Sequence, residues 1–180
     1  MVEAVSMQLG SQQYSISEAE VNNVCPFYCV VSNDGIASAA GSSLLKLLGI
    51  GKKQFVGQSI SLWFDVDDED GLNEGFSLES VSALRHRPFK LIARVARVAL
   101  ACEVVSITEK KPVLLRSGSQ RLLMVMRPLF SSYADVEEAG LSLQDFSLTD
   151  PIRTNLLAML MEESLRADLM SAIGGDDSVD

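Results

Sequence analysis

Between Phe89 and Arg127 the chain is dominated by strand-forming residues: the runs FKLIARVARVAL, CEVVSI, PVLLR and RLLMVM follow one another with only short breaks. Val, Ile and Leu at this density favour extended backbone, because their side chains pack well on a pleated surface. Ser117-Gly118-Ser119 supplies a turn before the last run. The links are shorter than the roughly dozen residues that a parallel crossover needs. The segment therefore predicts at least three strands paired antiparallel, and the rest of the chain has to cover one face of that sheet.

The preceding residues offer the cover. Phe27 to Val31 reads as a strand, Asn33-Asp34-Gly35 as a tight turn that uses positive φ, and Ile36 to Ala40 as a second strand. From Ser42, a candidate N-cap, Leu44, Leu45, Leu47 and Leu48 give a short helix one broad apolar side, and Gly49 and Gly51 end it. Ile60, Leu62, Trp63 and Phe64 predict a short helical or irregular packing element. An acidic loop follows, then a helix over 76–86 through Phe76, Val81 and Leu84 that Pro88 interrupts. Residues 1–24 are polar, with Ile16, Ala19 and Val21 suited to a short helix starting near Ser15 or Ser17.

The far end carries a different pattern. Asp150-Pro151 predicts a helix start, with the carboxylate as cap and proline at the first helical position. Leu157, Met161, Leu165 and Leu169 then recur every four residues, supplemented by Ile152, Leu156 and Leu160. Water does not tolerate such a stripe uncovered, so it either folds back on the sheet or pairs with a second chain. Repetition at four drifts around a helix and does not establish a seven-residue repeat. GGDDSVD at the end predicts a disordered tail.

With 180 residues, 47% of them hydrophobic, one sizeable core and one domain are expected. The formal charge of −9 opposes non-specific attraction to nucleic acid or anionic membrane. Residues 85–127 are an exception, with ten Lys or Arg against Glu103 and Glu109, a local +8 that leaves −17 elsewhere. Such a basic surface could face an acidic partner helix or another copy of the chain, or simply solvate the strands. The apolar stretch 91–107 is cut by Arg94, Arg97 and Glu103, which speaks against a membrane span. The first residues lack a basic leader and a continuous apolar run, so the expectation is a cytoplasmic protein. Three cysteines, Cys25, Cys29 and Cys102, are expected to be free thiols.

The motifs of chemistry are weak. DVDDEDGLNEG, residues 65–75, has oxygen donors for calcium, but with Gly71 at the sixth position of an EF-hand loop, Val66 falls at the first and Ser77 at the twelfth. The single histidine, His86, sits among Arg85, Arg87 and Pro88, where a surface role suits it better than metal ligation or acid-base work. The cysteines lack the paired spacing of structural zinc, and nothing marks them as activated thiolates. There is no phosphate-binding glycine loop and no nucleophile elbow. No catalytic, cofactor-binding or metal residue is therefore assigned, and the expectation is a protein that is not an enzyme. Trp63 and Phe64 read as core or, less simply, as walls of a ligand cavity. Asp150 and Arg153 stand out at the start of the last helix, where a carboxylate can cap backbone N–H groups and a guanidinium can reach a neighbouring acid or carbonyl.

In this order, two strands, a cluster of short helices and three strands, the sequence resembles the PAS-like fold. More narrowly it resembles the haem-nitric-oxide-binding-associated domain found beside H-NOX domains and ahead of the catalytic domains of soluble guanylyl cyclases, and in bacterial signalling proteins. The likeness begins at Cys25-Pro26-Phe27 and runs through Ala40-Gly41-Ser42-Ser43-Leu44-Leu45. It continues at Gly57-Gln58-Ser59-Ile60 with Phe64, and at Leu122 to Pro128. It ends at Gly140 to Phe146 and at Asp150-Pro151-Ile152-Arg153-Thr154-Asn155-Leu156-Leu157. Cys25 in place of a common histidine, Pro151 after Asp150, and the long acidic loop after Phe64 depart from it.

The resemblance implies an α+β, PAS-like domain: a five-stranded antiparallel sheet, short helices between strands two and three, and a C-terminal signalling helix. The expected division is an N-terminal segment with helical potential (1–24), a regulatory domain (25–150), a signalling or dimerisation helix (151–173) and a tail (174–180). It implies no chemistry and no cofactor, but a homodimer that relays a state between an H-NOX-like sensor and a cyclase or kinase output domain. The signalling or dimer contacts would fall on Asp150, Arg153, Leu157, Met161, Leu165 and Leu169. A small-molecule sensor with an internal cavity is the alternative.

Overall fold

The computed structural model describes residues 4–9, 12–32, 34–66, 88–108 and 120–174. Strands β1 (Ala4–Leu9) and β2 (Gln12–Ser17) form a separate antiparallel hairpin. The main sheet is antiparallel and has the order β4-β3-β8-β7-β6-β5. Its strands are β3 (Tyr28–Ser32), β4 (Ala37–Ala40), β5 (Phe64–Val66), β6 (Phe89–Ala93), β7 (Ala99–Thr108) and β8 (Gln120–Pro128). The helices are α1 (Glu18–Val24), α2 (Ser42–Leu47), α3 (Lys52–Phe55), α4 (Tyr133–Glu138) and α5 (Pro151–Gly174), with 3-10 turns at Ile60–Leu62 and Leu143–Asp145. The architecture is α+β: a six-stranded antiparallel sheet with short helices between β4 and β5 and a long helix at the end of the described residues.

Two expectations are corrected. The sheet has six strands, because Phe64–Val66 pairs with β6 as an additional edge; at three residues it is too short to announce itself as a strand, and its buried Phe64 reads equally as helix packing. The N-terminal segment holds a hairpin besides its helix, so Ile16 lies on β2. The helix itself starts at the expected place: Ser17 caps α1, its hydroxyl accepting from Glu20 N–H while the Glu20 carboxylate accepts from Ser17 N–H at 2.7 Å. The helix expected over 76–86, the acidic loop from residue 67, the PVLLR run, the Ser117-Gly118-Ser119 turn and the end of the tail lie outside the described residues.

The run FKLIARVARVAL is split. β6 ends at Ala93, and the turn back into β7 places Arg97 at φ 53° with its N–H on Ala93 O at 2.7 Å. No glycine or proline marks that turn, so the sequence reads straight through it. The β3–β4 turn is more conventional: Gly35 at φ 75° donates to Ser32 O, and the Ser32 hydroxyl accepts from Ile36 N–H.

One sheet face is the core. Phe89 and Leu91, Leu100, Cys102 and Val104, and Leu122, Met124 and Met126 point to it at every second position. Leu44 and Leu47 of α2, Leu48 at its C-cap, Phe55, Ile60 and Phe64 close over them. The helix α2 begins where the backbone crosses itself. A Cβ on Gly41 would stand 2.1 Å from Pro26 O, so only glycine lets the two segments approach. Gly41 is also the N-cap of α2, one residue before the expected Ser42, whose N–H is capped by the Asn22 side chain at 2.9 Å.

Candidate functional site at the exit-helix junction

The chain leaves the sheet at Pro128 and reaches α5 through a segment whose every turn is fixed by short-range chemistry. Ser132 caps α4: its hydroxyl accepts from Asp135 N–H, and the Asp135 carboxylate accepts from Ser131 and Ser132 N–H at 2.9 Å each. Those bonds, Ser131 N–H first, hold the Asp135 carboxyl below its ordinary value. At the other end Gly140, at φ 72°, donates to Glu137 O and Leu141 N–H to Val136 O, a Schellman closure that drives both Val136 and Leu141 into the core.

Asp145 is the next fixed point. Its Oδ2 accepts from Ser142 N–H at 2.7 Å, Ser142 hydroxyl at 2.9 Å and Lys46 Nζ at 2.6 Å, while its carbonyl accepts from the buried Ser43 hydroxyl at 2.6 Å. Partial burial pushes the carboxyl up, but the bonds from Lys46 and Ser142 outweigh it and the group lies below the usual carboxylate range. Two residues of α2 thus grip the outgoing segment. Phe146 follows with its ring 5.3 Å from Phe27 and 6.3 Å from Phe130, centroid to centroid.

Asp150 then caps α5, its Oδ1 accepting from Ile152 N–H at 3.0 Å, with Pro151 as first helical residue. Leu156 is fully buried, and Ile152 and Met159 pack partly against the core. Beyond Leu160 every side chain described, to Ser171, is exposed. Met161, Leu165, Leu169 and Met170 are each more than 60% accessible. Arg166 pairs with Glu162 one turn back at 2.6 Å.

The structure places the six residues singled out in the sequence along this one helix. Asp150 is at the cap and Arg153 is half-buried, with no side-chain bond among the described residues. Leu157, Met161, Leu165 and Leu169 form an exposed stripe that is not folded back on the sheet. What local sequence patterns could not supply is the grip of Ser43 and Lys46, since each bonds a residue about one hundred positions away. Their signal lay only in the resemblance, which includes both α2 and the Gly140 to Phe146 passage.

The thiols do not form a reactive site. Burial pushes Cys29 up to about 12 and Cys102 well above the ordinary thiol value, and Cys25 is raised by partial burial and then by the Asp150 charge. Among the described residues no group of three or more His, Cys, Asp or Glu could hold a metal ion, and no helix is long and apolar enough to cross a membrane. His86 and most of the acidic loop lie outside the described residues.

No family model and no curated protein matches the chain. Among solved structures it is similar to the PAS domain of an HTR-like protein from Haloarcula marismortui, with 19% identity over 61% of this chain and 86% of that one, at a TM-score of 0.43. It is also similar to a domain of an HTR-like protein from Haloarcula marismortui ATCC 43049, with 15% identity over 57% of this chain and 96% of that one, at a TM-score of 0.39.

Proposed function

We propose that the chain is a non-catalytic regulatory module that self-associates and passes a conformational signal from a sensor domain to an output domain. The observation that carries this reading is the contrast within α5. Its first turn is capped by Asp150 and fixed to the core by Ile152 and Leu156, while its distal half presents Met161, Leu165 and Leu169 to solvent. A helix anchored at one end and uncovered at the other is suited to report a change in the core to whatever binds its free half. The resemblance supplies the partners: an H-NOX-like sensor upstream and a nucleotide cyclase or histidine kinase downstream.

Sedimentation equilibrium of the full chain beside Leu165→Asp tests the proposal. The expected result is a dimer that the substitution dissociates; a full chain that stays monomeric at high micromolar concentration overturns it.

A second reading, a small-molecule sensor, is favoured by one atom. Trp63 Nε1 is buried and has no hydrogen-bond partner among the described residues, a donor that a ligand acceptor would satisfy. Native mass spectrometry of the purified protein distinguishes it: a bound compound supports it, and repeated recovery of the bare chain counts against it.

A further inference from the structure

β1 and β2 stand apart from the main sheet as a sheet of two strands, so each has one edge with no strand neighbour among the described residues. A strand edge offers a row of backbone N–H and C=O groups and pairs with a second strand unless something blocks it. Charged side chains, proline, bulges, shortness and covering segments are the usual blocks. Residues 4–17 read AVSMQLGSQQYSIS, with no charge and no proline, and the ladder runs from Ala4 opposite Ser17 to Leu9 opposite Gln12 without a register shift.

The edges of the main sheet are blocked. Beside β4, Ala37 N–H donates to Gln58 O at 2.9 Å and Gly57 N–H to Ala37 O at 2.8 Å, with Ile36 bridged to Ser59, so a neighbouring segment occupies that edge. At the other edge β5 has only three residues and carries Asp65, held by Arg94 at 2.6 Å. Among the sheet edges described, those of the hairpin lack such a device.

A hairpin of two strands is marginal alone in water, whereas three or more strands with one apolar face form a stable sheet. The register sets Val5 opposite Ile16 and Met7 opposite Tyr14 at alternate positions, which places these four residues on one face. β2 runs without a break into α1, since Ser17 is both its last residue and the cap of that helix. β2 is therefore the strand tied to the domain, and β1 is the one a second molecule meets. α1 ends at Cys25, whose thiol feels the charge of Asp150 at the start of α5, so the helix that bears the hairpin and the exit helix meet at one end of the domain.

We propose that β1 of one copy pairs antiparallel with β1 of a second copy, joining the two hairpins into one four-stranded sheet across a two-fold axis. Such a contact is isologous and closes at two copies. It rests on the self-association proposed above and adds a second contact to it: α5 brings the chains together, and the hairpins then pair at the high effective concentration this creates.

The test uses full-length chains in a Cys25→Ser background, each with one further cysteine at position 4, 5, 6, 7, 8 or 9, oxidised and then resolved by size. Two-fold pairing gives disulfide-linked dimers that peak at one position within β1 and decline on both sides of it. Ser6→Lys, which sets two like charges on the shared edge, raises the dimer Kd by about tenfold. A dimer with no β1 crosslink and a Kd indifferent to Ser6→Lys overturns the strand pairing but leaves self-association standing. Equal crosslinking at every position in species larger than a dimer means parallel stacking and overturns the two-fold contact. Chains that sediment as monomers and do not crosslink overturn both proposals.

Discussion

Lys46 Nζ lies 2.6 Å from Asp145 Oδ2 and ties the first core helix to the segment that leads out of the domain, ninety-nine residues later. The Lys46 side chain is half exposed, so its charge adds little on its own; the carboxylate matters more, because Ser142 also depends on it. Asp145→Ala is expected to cost roughly 1–2 kcal/mol, and Lys46→Met less than about 1 kcal/mol, in chemical denaturation. Equal costs for the two would show that the ion pair, rather than the Ser142 cap, dominates.

The same carboxyl gives the fold an acid dependence. Its folded value is depressed, so its contribution is present above the unfolded carboxyl value and is lost as pH falls through the folded one. Melting curves from neutral pH down through the carboxylate range are expected to show a loss that is smaller in Asp145→Asn. Superimposable profiles for the two proteins would remove Asp145 from the acid response.

Gly41 and Gly49 separate two uses of glycine. At Gly41 a Cβ meets the Pro26 carbonyl at 2.1 Å, a backbone atom that cannot swing aside. At Gly49 the backbone is left-handed, φ 66°, but nothing lies within 4 Å of an added Cβ. Gly49→Ala is expected to cost about 1 kcal/mol, and Gly41→Ala more than about 3 kcal/mol or the native fold itself. Comparable midpoints in urea would contradict the close approach of the two segments.

The elements legible in the sequence were those written in local pattern. The β3–β4 hairpin with its turn at Asp34-Gly35, the stop at Gly49 and the Asp150-Pro151 start each depend on residues within a turn of one another, and each stands where it was expected. The β6–β7 turn was hidden because Arg94 to Arg97 contains no turn residue, and Arg97 takes positive φ under the constraint of the ladder on either side. β5 was hidden because an edge strand of three residues shows too little alternation to be told from a helix turn. The junction was half legible. Asp150 announces itself as a cap, but the alignment of Ser43 and Lys46 with Asp145 exists only once the chain has folded.

The thiols offer a readout of that junction. Cys29 and Cys102 are closed in the core, so alkylation of the native protein is expected at Cys25 alone, with three sites after unfolding. Partial burial and then the negative charge of Asp150 hold the Cys25 thiol up, and Asn at position 150 removes the second cause while retaining the cap. Asp150→Asn is therefore expected to shift the pH–rate profile of Cys25 alkylation to lower pH without altering the helix. Modification of Cys29 or Cys102 faster than global unfolding would show that the core opens locally.

Leu156 and Leu165 stand on one helix and should respond to truncation in opposite ways. Leu156 is buried in the core, so Leu156→Ala removes packed atoms and leaves a cavity, at a cost of about 2–5 kcal/mol. Leu165 is 62% exposed, and in a dilute monomer Leu165→Ala should change stability by less than about 0.5 kcal/mol. Its effect belongs to association instead: the variant should melt like the parent at low concentration and lose whatever stabilisation the parent gains as concentration rises. Denaturation at two concentrations a hundredfold apart separates the two behaviours. If Leu165→Ala proves as destabilising as Leu156→Ala when dilute, the distal helix is part of the domain's own core, and its stripe is not a surface held out for a partner.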